Sequence, residues 1–271
     1  MYKLRLGKSV GFCSDNYYET LDEMVKNGFD SGDFDIASKW HLPEEEAEHY
    51  KTLEKGLDAF QKSGLYLNGV HISFGKNWDI SAVEDSRRQA IVEKILALFT
   101  RINPYNPHGY ILHGSFEPIP PENRAAQIQS LKKSLTELCN GTKSLVCVEI
   151  LPRTCLFNTS KEAIEVVDSL PQLTNLKVCV DVNHYLQERA EEGVLALGSR
   201  IATTHISDHD YEDERHWLPM KGKIDWNALL AAFEKIGYQG VFNYEVGATC
   251  AEVKQNYETL FAAYNAQKAK V

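Results

Sequence analysis

Leu145-Val146-Cys147-Val148-Glu149-Ile150, Leu176-Lys177-Val178-Cys179-Val180-Asp181-Val182 and Ile201-Ala202-Thr203-Thr204-His205-Ile206 are three short runs built to one plan. Each is rich in β-branched and apolar residues, and each carries an ionisable side chain next to its last residue. Runs of this length and composition read as strands buried on both faces. Between them lie helical patterns over 161–170 and 185–197. Neighbouring parallel strands need a crossover of a dozen or more residues, and a helix supplies it. Strand and helix in alternation, with a parallel sheet as the consequence, is therefore the expected order.

Working outward, the same unit recurs to both ends of the chain. Strand patterns fall at 4–12, 29–36, 67–74 and 109–112 before the quoted runs, and at 241–246 after them. Helical patterns fall at 17–27, closed by Gly28, and at 44–62, where Tyr50, Leu53, Leu57 and Phe60 recur at helical spacing before Gly64. Others fall at 83–100, 122–139, 226–236 and 251–267. Eight such units fit a closed (β/α)8 TIM barrel, an α/β fold, better than an open doubly wound sheet. No glycine-rich phosphate loop follows a strand, which counts against a nucleotide fold. No linker divides the chain, so residues 1–271 are expected to form a single domain, as such barrels commonly do.

Of the 271 residues, 43% are apolar and 25% charged, enough to bury one large core. Lys plus Arg is 29 and Asp plus Glu is 38, a net charge of −9 with His neutral. Nucleic acid and anionic membranes bind nonspecifically through positive charge, so neither is the expected partner. No apolar run approaches the ~18 residues of a membrane span, and no signal-peptide core follows the first residues. Cys13, Cys139, Cys147, Cys155, Cys179 and Cys250 show no CxxC spacing, which favours free buried thiols over disulfides. A soluble, cytoplasmic protein is expected. The sequence leaves open whether it is a homo-oligomer.

The ionisable residues fall in a pattern. His71, His113, Glu149, Asp181, His205 and Glu245 stand at or near the ends of six successive strand runs, spaced by 24 to 42 residues. In a barrel those ends converge on one face, which carries the active site in nearly all such enzymes. Taken singly, His71 or His113 reads as a hydrogen-bonded core histidine, and Glu149 as a buried acid pairing with Arg153. Asp181 alone reads as a helix cap, and Asp208 to Asp210 with Glu212 to Glu214 as a solvated loop. Taken together, imidazoles and carboxylates at one mouth suit a hard or borderline divalent cation: Mn, Co, Mg or Zn. The segment 207–225 is long for a βα loop, and its Arg215, His216 and Trp217 are suited to gripping a polyol. Trp40, His41 and Trp78 lie in early loops and read equally as a sugar platform or as core packing.

Val148-Glu149-Ile150-Leu151-Pro152-Arg153-Thr154, Val180-Asp181-Val182-Asn183-His184 and His205-Ile206-Ser207-Asp208 carry a further signal, together with residues 214–226 and Asn243-Tyr244-Glu245. In that order they resemble the xylose-isomerase-like superfamily of sugar isomerases, epimerases and AP-endonuclease-type barrels. The resemblance implies one divalent metal ion on Glu149, Asp181, His205 and Glu245, with Glu149 and Glu245 doubling as catalytic acid and base. It places His184 and Arg215 on a small-molecule sugar substrate, beside His71, His113, His216 and Trp217. Endonuclease-IV-like members bind three zincs, and His71, His113, His184 and His216 stand where several of the extra ligands fall. Glu214 occupies a position where an Asp is usual there, and Met220 one where many relatives carry Gly. The implied activity is isomerisation or epimerisation of a ketose or keto-sugar. A 3-keto-glycoside lyase, an AP endonuclease and a non-catalytic binding protein are the alternatives.

Overall fold

The computed structural model describes residues 1–12, 14–36 and 46–270. Trp40, His41 and Cys13 lie outside the described residues. Eight parallel strands, β1 (Arg5–Gly11), β2 (Ser31–Asp35), β3 (Tyr66–His71), β4 (Gly109–Leu112), β5 (Leu145–Glu149), β6 (Leu176–Asp181), β7 (Ile201–Ile206) and β8 (Val241–Tyr244), pair in sequence order. Pairing of β8 with β1, through Arg5 opposite Val241, closes the barrel. The helices between and after them are α1 (Tyr17–Lys26), α2 (Glu46–Ser63), α3 (Asp85–Ile102), α4 (Pro121–Asn140), α5 (Ser160–Asp168), α6 (Ala190–Leu197), α7 (Trp226–Lys235) and α8 (Cys250–Lys268).

Strand alternation divides the burial into two layers. Phe34, Tyr110, Val146, Val148, Val178, Val180 and Phe242 point outward and join the large core shared with the helices. Ile111, Cys147 and Cys179 form a separate small apolar cluster inside the barrel. Three helices start where the sequence supplies side-chain acceptors for their free N–H groups. Thr159 accepts from Glu162 N on α5 and Asp225 from Ala228 N on α7, while Thr249 and Glu252 form a reciprocal cap on α8.

Two boundaries differ from the sequence reading by more than two residues. The strand pattern at 67–74 stops at His71, although Ile72 N still donates to Ile111 O, so the chain leaves the ladder with His71 at the mouth. The helix expected from 185 begins at Ala190, because residues 182–184 form a 3-10 turn first. The Asp181 side chain accepts from Asn183 N and closes that turn, which carries His184 back over the barrel. Asp181 thus caps a turn as well as facing the site.

Candidate metal centre

Register brings the ends of β5 to β8 together. Asp181 pairs with His205, and His205 with Asn243, two residues before Glu245. Ligand atoms of Glu149, Asp181, His205 and Glu245 all lie within 4.8 Å of one another. His205 Nδ1 is 3.0 Å from Glu149 Oε1, 2.7 Å from Glu245 Oε2 and 3.9 Å from Asp181 Oδ2. Asp181 Oδ2 and Glu245 Oε2 are buried atoms with no hydrogen-bond partner. Buried polar atoms are nearly always satisfied, so two orphaned carboxylate oxygens facing one imidazole nitrogen fit a cation-binding set. Three carboxylates and an imidazole are also the donors that a hard or borderline divalent ion takes.

Two more groups flank this one. His71, His113 and Glu149 form a set of the same compactness, as do His184, Glu214 and His216. Both His71 Nε2 and His113 Nε2 lie 3.1 Å from Glu149 Oε2. Nδ1 of His71 donates to Ile72 O, that of His184 to Ile150 O, and that of His216 to Glu245 O. A ring whose Nδ1–H is spent on a backbone carbonyl keeps Nε2 for a ligand or a carboxylate. Glu214 reaches His184 Nε2 at 3.4 Å and also pairs with Arg153, so the methylene by which it exceeds Asp does not keep it out of the group. Arg153 binds Glu117 and Glu214, not Glu149, and this removes the simple acid–arginine reading of Glu149.

The charges of the cluster depend on one another. Burial opposes the charged form of every member. Against it, the hydrogen bond and charge of Glu149 and the charge of Asp35 lift His71 to about 9, and Asp181 and Glu214 lift His184 to about 10. Burial opposes the charge on His205 as well, and Glu245, Glu149 and Asp33 hold it well above the ordinary imidazole range. Glu149 is held well below the usual carboxylate range by His205 and His113, which outweigh its burial. Burial dominates at Asp181 and raises it. Cys179 lies among these ligand atoms, but burial keeps its thiol protonated, which makes it a poor ligand beside the carboxylates.

A family model described as a xylose isomerase-like TIM barrel matches residues 21–264. The chain belongs to that family. The uncharacterized protein MJ1614 of Methanocaldococcus jannaschii is 31% identical over 115 residues, 40% of this chain and 43% of that protein. The chain spans less than half the length of the curated relatives it matches. Among solved structures, a D-tagatose 3-epimerase-like protein superposes with a TM-score of 0.78 at 18% identity, covering 97% of this chain and 99% of that one. A 3-keto-D-glucoside 4-epimerase from E. coli gives 0.75 at 18% identity, covering 96% and 100%. At these identities the likeness is one of fold.

In this xylose isomerase-like barrel the remaining sequence-predicted residues divide. His71, His113, His184 and His216 join the centre. Arg215 turns its guanidinium to Asp210, at 2.7 Å, and lies 5.9 Å from the Trp217 ring; only its backbone N–H reaches inward, to Asn183 Oδ1. Trp217 is 41% exposed at the rim. Trp78 is buried under the Lys94 ammonium, 3.7 Å from its ring, so the packing reading holds and the platform reading fails.

The long segment after β7 is ordered by Asp208, which is fully buried rather than solvated. Asp208 pairs with Trp217 through two backbone bonds. Its carboxylate accepts from His209 N, Ile224 N and Trp226 Nε1. Met220 holds a φ of +70°, a left-handed conformation that favours Gly. A Cβ on Gly222 would stand 2.3 Å from His209 O and 2.4 Å from Asp208 Oδ1. Backbone cannot yield easily, so Gly222→Ala is expected to destabilise the fold by about 1–3 kcal/mol. Urea unfolding checks this; an unchanged midpoint would show that the segment is looser than described.

Sequence reasoning placed a strand at 29–36 but missed the two acids that β2 carries inward. Ser31-Gly32-Asp33-Phe34-Asp35 carries two acids at alternate positions, both on the inner side. Asp35 leaves Oδ1 buried without a partner, and burial pushes its carboxyl up. The available signal was the i, i+2 spacing of acids within a strand run, which places both on one face.

Proposed function

We propose that this chain is a divalent-metal-dependent sugar isomerase or epimerase that moves a proton at the carbon next to a carbonyl. The observation carrying this reading is the pair Glu149 and Glu245, both within 3.0 Å of His205 Nδ1 from different strand ends. They approach a common point from two directions, as the exchange of a proton between two faces of one carbon requires. A divalent ion held by Glu149, Asp181, His205 and Glu245 supplies polarisation of the carbonyl and acidifies the neighbouring C–H. Glu245 is the freer of the two acids: Oε2 has no hydrogen bond, and the side chain is one-third exposed toward the mouth. It therefore takes the proton, and Glu149, itself ionised, returns one drawn from the protonated His71, whose Nε2 lies 3.1 Å from Glu149 Oε2. His184, His216, Arg215 and Trp217 grip the substrate hydroxyls, Arg215 after exchanging Asp210 for the sugar. The fold neighbours with epimerase names support the same substrate class.

The test is elemental analysis of the purified protein, followed by deuterium uptake from heavy water into ketoses and 3-keto-glucosides. Uptake that stops on chelation and returns with Mn or Co is the expected result. Metal-loaded protein that exchanges no candidate sugar would overturn the proposal. Product analysis with 3-keto-glycosides separates epimerase from lyase on the same site.

The two flanking ligand groups favour a second reading, a multinuclear centre cutting a phosphodiester as an AP endonuclease does. Net charge −9 speaks against a DNA track. Three bound ions per chain and incision of an abasic oligonucleotide would favour it; one ion and sugar exchange favour the epimerase.

A further inference from the structure

The inner side of the metal centre rests on a second set of polar residues. Asp33, Asn68, Thr203 and Asn243 are each no more than 1% exposed, inside a barrel whose interior is otherwise apolar at Ile111, Cys147 and Cys179. Polar groups in such a place persist only when they satisfy one another or serve a neighbour. Asp33 is the hub. Oδ1 accepts from Asn68 Nδ2 at 2.7 Å, and Oδ2 accepts from Asn243 Nδ2 at 3.0 Å. Oδ2 also lies 3.2 Å from His205 Nε2. Asn68 Nδ2 is shared with Thr203 Oγ1 at 2.9 Å, and Asn243 Nδ2 with Ser9 Oγ at 2.9 Å. Four strands besides β2 are thereby tied to one carboxylate: β1, β3, β7 and β8. Opposite Asp33 stands Gly69, where a Cβ would come within 2.8 Å of Oδ1, so this strand leaves the carboxylate its room.

We propose that Asp33 is a positioning residue for the metal centre. By accepting the Nε2 proton of His205 it fixes the ring's tautomer and plane, and so aims Nδ1 at the point where Glu149, Asp181 and Glu245 converge. An imidazole has one proton to give when neutral. If Nε2 keeps it, Nδ1 presents a lone pair to the ion; if the ring flips or the tautomer changes, that ligand is lost. Asn68 and Asn243 hold the carboxylate in turn, so the aim is set by β2 and β3 across the barrel and by β8 beside His205. The inference rests on the metal reading given above. A polar plug that merely fills the barrel predicts something different: loss of stability without a change in metal affinity.

The experiment measures cobalt affinity by chelator competition in the whole protein, together with the visible spectrum of the cobalt form and the thermal midpoint of the metal-free form. For Asp33→Asn the expected result is a 10–100-fold weaker affinity and an altered cobalt spectrum, the usual size of effect for a group holding a ligand histidine. The metal-free midpoint should move by only a few degrees. Affinity within threefold of wild type would overturn the proposal. If Asp33→Asn does not fold, Asn68→Leu decides on the same measurement: a loss beyond threefold supports it, and no loss overturns it. Wild-type protein that takes up no cobalt would overturn the metal reading itself, and this inference with it.

Discussion

Glu245→Gln is expected to lower sugar turnover by about 10²–10⁴-fold, the range that a positioned acid or base contributes, while the protein keeps its fold. Gln keeps the shape of Glu and removes only its charge and basicity. The Oε2 atom of Glu245 has no hydrogen bond to lose, and the residue's backbone N–H still donates to Ile206 O. His205 loses one carboxylate neighbour and retains Glu149 and Asp33. Steady-state rates and a thermal melt check both halves of the expectation. Full activity in the variant would remove Glu245 from the proton path.

Glu149→Gln should behave differently. Glu149 is 1% exposed and is engaged by His71, His113 and His205 at 3.0–3.1 Å. Removing one partner of a buried charge cluster typically costs about 3–5 kcal/mol, because the other charges stay buried without compensation. The expected loss in the metal-free protein is therefore of that order, alongside loss of turnover. Its pH dependence follows from the shifts. Glu149 is lowered in the folded protein, so its contribution is present above the ordinary carboxylate value of 4.5 and fades as pH falls through the folded value. His71 is raised from 6.5 to about 9, so its contribution is complete below 6.5 and fades as pH rises toward 9. The stability gap between wild type and Glu149→Gln should be widest between about pH 4.5 and 6.5 and should narrow above that. Urea titrations across pH 5 to 9 would show it; a gap that is flat or that widens at high pH would contradict the assigned charges.

Much of the fold was legible in the sequence because parallel strands buried on both faces leave unbroken apolar runs, and the crossovers between them leave helical periodicity. The cluster of ionisable groups at the mouth was legible for a related reason. Val148-Glu149, Val180-Asp181 and Thr204-His205 each put an ionisable group at the end of a run that otherwise excludes charge. Asp33 and Asp35 escaped because their strand alternates acid with Phe34, a pattern that reads as one wet face; in a closed barrel that face looks inward instead. Asp208 escaped because its neighbours Asp210, Glu212 and Asp213 mark the segment as solvated, and no sequence period tells that its carboxylate collects three donors from residues up to eighteen positions away. Arg215 illustrates the converse. The sequence places it in the segment after β7, yet its direction depends on Asp210, a contact within a turn that spacing does not encode.

The anchoring of residues 207–225 by Asp208 separates two jobs that share one end of the barrel. The Asp208 carboxylate is spent wholly on the segment's own closure, on His209, Ile224 and Trp226, and contributes nothing to ligation. What it frames runs from Tyr211 to His216 and brings Glu214 and His216 to the mouth of the barrel. Under the proposed function, closure of the segment and ligation at the strand tips thus rest on different carboxylates, so a change in one leaves the other standing.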